Sequence, residues 1–167
     1  MQVCSRPLSK SMAILVACCG VGTLLVASAD TPPDLRGRMQ GADEVVVARV
    51  LEVTPRWHAN EHGDQLIVSR VRLQVEENLK GGRKDSDVVV DVEGGTLDGF
   101  TLRVSDLPAL EPGERAVFLL NARANQARQL HLRGQGLLEL TDANEVKGTS
   151  INLDDVRRIA EQPEDDR

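Results

Sequence analysis

The sequence predicts a mainly β domain, a small antiparallel barrel (OB-like) or sandwich, finished by a C-terminal amphipathic helix. Three observations lead there. Apolar residues recur with period two in short Val-rich runs, the spacing that lines one face of a strand. Gly and Pro punctuate those runs at their corners. A sustained helical pattern appears only near the C-terminus, so the strand–helix alternation of a parallel α/β sheet is absent.

The elements follow in order. Thr31-Pro32-Pro33 is extended, and Asp34 to Gln40 has room for one or two helical turns before Gly41. Asp43 to Val53 (DEVVVARVLEV) reads as the first strand, with Arg49 and Glu52 marking where it meets water. Leu66 to Glu76 alternates cleanly: Ile67, Ser69, Val71, Leu73 and Val75 on one face, Arg70, Arg72, Gln74 and Glu76 on the other. That is a half-buried antiparallel strand. Leu79-Lys80-Gly81-Gly82 breaks it, and Asp87 to Val92 is the third strand. Glu93-Gly94-Gly95 then predicts a bend or close backbone approach, and Phe100 to Val104 a short strand. An extended crossing from Leu107 ends at the Pro112-Gly113 turn. Arg115 to Asn121 (RAVFLLN) is the candidate for the most buried strand, and Gln129–Arg133 with Gly136–Leu140 form a closing pair. Asn152 is placed to cap a helix with Asp154 and Asp155 in its first turn and Pro163 as its stop. Leu153, Val156, Ile159 and Ala160 fall on one face of it, which should pack on the sheet.

Residues 1–29 read as a signal peptide. Arg6 and Lys10 form a basic start, Met12 to Val26 is an apolar run, and Ala27-Ser28-Ala29 is a small-residue cleavage signal. Leu15-Val16-Ala17-Cys18 offers the rival reading of a bacterial lipoprotein anchored at Cys18, and an uncleaved anchor is a third. The expected localisation is therefore secreted or periplasmic, with a membrane contact only if Cys18 is lipidated. Residues 30–163 are expected to form a single β-rich domain and 164–167 a disordered tail.

Cys4, Cys18 and Cys19 all lie in that leader, so the exported chain has no disulfide and relies on an ordinary core. Without the leader, 18 Lys and Arg face 26 Asp and Glu, a net charge of −8. Three aromatics, Trp57, Phe100 and Phe118, remain and are scattered along the chain; Tyr is absent. Nucleic acid binding needs phosphate-neutralising charge and stacking platforms, so it is disfavoured. Carbohydrate binding is disfavoured on the same lack of aromatic faces.

Several segments together resemble a group of uncharacterised secreted bacterial β-domain proteins. They are ADEVVVARVLEV, VRLQVEENLKG, VEGG, EPGERAVFLL and RGQGLLEL, running from Ala42 to Leu140. That resemblance implies an exported β domain and no particular activity. More distantly, the Ala-Asp-x-Val-Val-Val opening and the Leu-Lys-Gly strand end are similar to netrin-like modules on OB-type barrels, which include tissue inhibitors of metalloproteinases. Inhibition there implies a mature N-terminal Cys that chelates zinc. The exported chain has none, so that mechanism does not transfer.

The densest polar stretch is Arg56 to Asp64 (RWHANEHGD), which holds the only Trp and two of the three His. On a helix, His58 and His62 would share one face, with Glu61 or Asp64 adding a carboxylate for a metal. Pro55, Asn60 and Gly63-Asp64 are turn chemistry instead, which makes the stretch a solvated hairpin loop. The metal reading, a metal-binding protein or metal-dependent enzyme using His58 and His62, is the alternative. His131 alternates with Leu130 and Leu132 and should face away from the core. Trp57 is either a core plug or an exposed anchor for a partner, with His58 and His62 beside it.

No Gly-x-Ser-x-Gly elbow surrounds Ser69, Ser86, Ser105 or Ser150. Ser69 reads as a satisfied core hydroxyl. Glu93-Gly94-Gly95-Thr96 lacks the Lys and following helix of a phosphate loop. Asp154-Asp155 and Asp165-Asp166 lack calcium-loop spacing. No cofactor is expected. The expectation is a non-enzymatic protein-interaction module with an exported protein as partner.

Overall fold

The computed structural model describes residues 34–60, 62–81, 86–107, 109–122 and 127–162. The leader with Cys18 and its cleavage site, Thr31-Pro32-Pro33, Glu61 and the 164–167 tail lie outside the described residues.

Helix α1 spans Leu35–Gly41. The Asp34 carboxylate accepts from the Gly37 amide at 2.8 Å, satisfying an otherwise orphan helix N–H. Lys80 closes the other end, donating to the carbonyls of Met39, Gln40 and Ala42 at 3.1, 2.5 and 2.9 Å. A cation on the last carbonyls of a helix complements its dipole.

Strands β1 (Glu44–Ala59) and β2 (Gln65–Lys80) form one long antiparallel hairpin. β3 (Asp87–Glu93) pairs with the far edge of β2. β4 (Gly95–Leu97) and β5 (Phe100–Leu102) make a separate two-stranded hairpin. β6 (Arg115–Asn121) returns to pair with Glu44–Arg49 of β1. β7 (Gln129–Leu130), a 3₁₀ turn (Arg133–Gly136) and β8 (Leu137–Glu139) follow, and helix α2 (Leu153–Glu161) ends the domain.

The protein is thus mainly β, an antiparallel sheet in the order β3-β2-β1-β6-β7 with β8 also on β6, and a C-terminal helix. The sheet is not closed into a barrel. Among the described residues, a parallel bridge, Val90 to Arg128, runs between its β3 and β7 edges. The Arg128 amide donates to Val89 at 2.9 Å and its carbonyl accepts from Asp91 at 3.0 Å.

The valine run of β1 is buried on both sides, because strand alternation sends its residues into two cores. Val45 and Val47 meet Leu119, Met39, Leu153 and Val156 under the helices. Val46, Ala48 and Val50 meet Phe118, Leu73 and Val90 on the opposite face. α2 is seated on the first core as its periodicity predicts, capped by the reciprocal Asn152–Asp155 pair. Arg157 ties it to β2 through Glu77 at 2.6 Å.

Three expectations change. The first strand does not stop at Val53 but runs through Pro55 to Ala59. The Ile67 carbonyl accepts from Gly94 at 2.8 Å, so Ile67 and, two residues on, Ser69 turn their backbone groups toward β3. Their partners Trp57 and Pro55 therefore turn theirs to the other edge of β1, where β6 no longer pairs. A proline on an unpaired edge removes no ladder bond. Second, Gln129–Arg133 and Gly136–Leu140 do not pair with each other; β7 and β8 sit in tandem on β6. Leu132 and Arg133 both take positive φ (52° and 57°), which turns the chain into the 3₁₀ turn instead of a hairpin. Third, His131 is half-buried, with Nδ1 2.9 Å from Asn121 Oδ1.

Candidate functional site: the tip of the β1–β2 hairpin

The connection between β1 and β2 is only 60–64, much shorter than the loop expected. Asn60 organises it: its side-chain oxygen accepts from the amides of His62 (2.9 Å) and Asp64 (2.8 Å), and Gly63 supplies a positive φ of 86°. His62 is exposed in this turn, while His58 is exposed within β1, opposite Leu66. The two imidazoles therefore occupy different kinds of backbone and share no helical face. Among the described residues, no group of three or more His, Cys, Asp and Glu could hold a metal ion.

Alternation separates Trp57 from His58. His58 shares its face of the sheet with Arg56, whose guanidinium joins that of Arg70 on Asp91 at 2.7 and 3.1 Å. Trp57 shares its face with Pro55, opposite Ser69 and Ile67, and meets the β4–β5 hairpin.

That hairpin is folded over the tip by a glycine bend. Ser69 Oγ donates to the Gly94 carbonyl at 2.7 Å, and Gly95 follows at φ 128°. A Cβ on Gly95 would come within 2.6 Å of Ser69 Oγ, so the bend needs glycine both for its dihedral and for its space. At the far end, Asp98 and Gly99 both have positive φ (53° and 80°), the signature of a two-residue type I′ hairpin turn. The turn brings Phe100 against Trp57, with ring centroids 6.0 Å apart and planes at 65°. It also brings Asp98 Oδ2 to 3.1 Å from the indole Nε1, which donates to it.

Both rings remain in water: Trp57 is 42% and Phe100 65% exposed. Phe118, the third aromatic of residues 30–167, is fully buried. Trp57 is thus neither a core plug nor a bare anchor but half of an exposed edge-to-face pair. Sequence reasoning found Trp57 and missed Phe100 and Asp98. The local signal was the Asp98-Gly99 dipeptide, a strong hairpin marker whose flanking strands are only three residues each.

An open groove of about 570 Å³ lies elsewhere, lined by Arg49, Glu76, Arg115, Glu139 and Lys147 among others. Its cations are each held by a carboxylate: Arg49 and Arg115 by Glu76, and Lys147 by Glu139 at 2.9 Å. The Glu139 contact holds the Lys147 ammonium above the ordinary lysine range. Compensated in this way, those cations offer an anion little attraction. The chain matches no protein-family model and no curated relative by sequence.

Proposed function

We propose that this chain is an exported, non-enzymatic interaction module that docks a protein partner on the Trp57–Phe100 pair at the hairpin tip. The observation that carries the reading is the exposure of those two rings in mutual contact. Recognition surfaces are enriched in aromatic side chains of this kind. The signal-peptide pattern of residues 1–29 supports export to the periplasm or beyond, with Cys18 lipidation as the alternative tether. The scaffold is proposed to be OB-like. In support, the parallel Val90–Arg128 bridge joins the two sheet edges as the closure of a partly open barrel would. The resemblance to secreted β-domain proteins agrees with both points.

The test is capture from the native envelope fraction, with wild-type protein and a Trp57→Ala/Phe100→Ala variant immobilised side by side. The variant's fold is checked by circular dichroism. A partner retained by wild type and lost by the folded variant is the expected result. Equal retention by both sinks the reading.

A further inference from the structure

Several carboxylates on this molecule's sheet are answered by guanidinium groups: Asp91 by Arg56 and Arg70, Glu76 by Arg49 and Arg115, Glu77 by Arg157. Asp98 differs. Its hydrogen bond among the described residues goes to the Trp57 indole, through Oδ2, and no described cation pairs with it. A carboxylate with a spare oxygen thus stands at the edge of two exposed rings.

Building on the docking role proposed above, we infer that this site takes a guanidinium side chain, presented by a segment of the partner with apolar residues on either side. The ring faces carry the negative part of the aromatic quadrupole and attract a cation stacked on them. An indole that donates its N–H to a carboxylate is polarised in the direction that strengthens this attraction. A guanidinium fits better than an ammonium, because it is flat, weakly hydrated and able to stack while its N–H groups reach Asp98 Oδ1. The net charge of −8 on residues 30–167 draws a basic segment in over longer distances. The remaining exposed face of Phe100 takes up the flanking apolar side chain.

Trp57 is the chain's single Trp, so its fluorescence reports this site alone. The probes are the acetylated, amidated peptide Gly-Leu-Arg-Leu-Gly and the same peptide with citrulline, a neutral isostere, replacing Arg. Both are titrated into the wild type and Asp98→Asn. Asn tolerates the positive φ of this turn and keeps an oxygen for the indole, so that variant removes only charge. The Arg peptide is expected to bind the wild type about fivefold more tightly than the citrulline peptide, and to lose that advantage in Asp98→Asn. Equal binding of the two peptides, absence of quenching at millimolar concentration, or an unchanged Arg-peptide affinity in Asp98→Asn would each overturn the guanidinium assignment. Quenching by neutral maltohexaose in place of the peptide would assign the rings to sugar stacking and overturn it as well. Envelope capture does not depend on these peptides, so the docking role can survive their failure.

Discussion

The root and the tip of the β1–β2 hairpin are one continuous pair of strands, yet they live in different surroundings. At the root, Glu44 to Ala48 are all buried, because β6 and β2 flank β1 and a core lies on each face. Beyond Arg49, β6 no longer pairs, Val50 and Val53 are the last residues of β1 to reach the second core, and exposure rises toward Ala59. The tip carries the largest side chain in the protein and still leaves it wet. What decides burial here is which elements remain to cover a residue, not how hydrophobic the residue is. A long hairpin that outruns its core leaves its tip exposed.

Four substitutions sharpen or break that contrast. Leu73→Ala, fully buried opposite Val50 just beyond the root, should cost about 2–5 kcal/mol in urea unfolding, since it leaves a cavity among Val50, Val71 and Phe118. Trp57→Ala in the same assay should cost well under half as much; parity between the two would mean that the tip is core after all. Gly95→Ala comes next, at about 1–3 kcal/mol, because an L residue is strained at φ 128° and its Cβ meets Ser69. Its more telling effect is on Trp57 fluorescence, which should shift red as the β4–β5 hairpin lifts away; an unmoved spectrum would detach that hairpin from the site. His58→Ala should be the mildest, within about 0.5 kcal/mol, because the ring is exposed on the face opposite Trp57. A larger loss, or zinc binding abolished by this change in calorimetry, would revive the metal reading of His58 and His62.

Much of the fold is written in local pattern. The period-two run of β2, the Gly94-Gly95 bend and the Asn152 cap are each decided by a few neighbouring residues, and each lies where expected. The misreadings share a cause in long-range partners. Pro55 is a strand breaker only if its edge is paired, and that depends on where β6 stops. β7 and β8 both choose β6, which no spacing within 129–140 announces. At the site, Trp57 marked itself by type, but Phe100 and Asp98 acquire meaning only when the glycine bend folds their hairpin back across β1.

The Val90–Arg128 bridge has one more consequence, for solubility. β3 is a valine-rich strand, and an open edge of that composition is a template on which other chains can add and aggregate. Arg128 occupies the Val89 carbonyl and the Asp91 amide in the middle of that edge. Its guanidinium is anchored by the buried carboxylate of Glu44 at 3.1 Å. A single residue therefore interrupts the row of free donors and acceptors that a second molecule would need. For a domain with no disulfide to hold it shut, that small obstruction is a defence against misassembly.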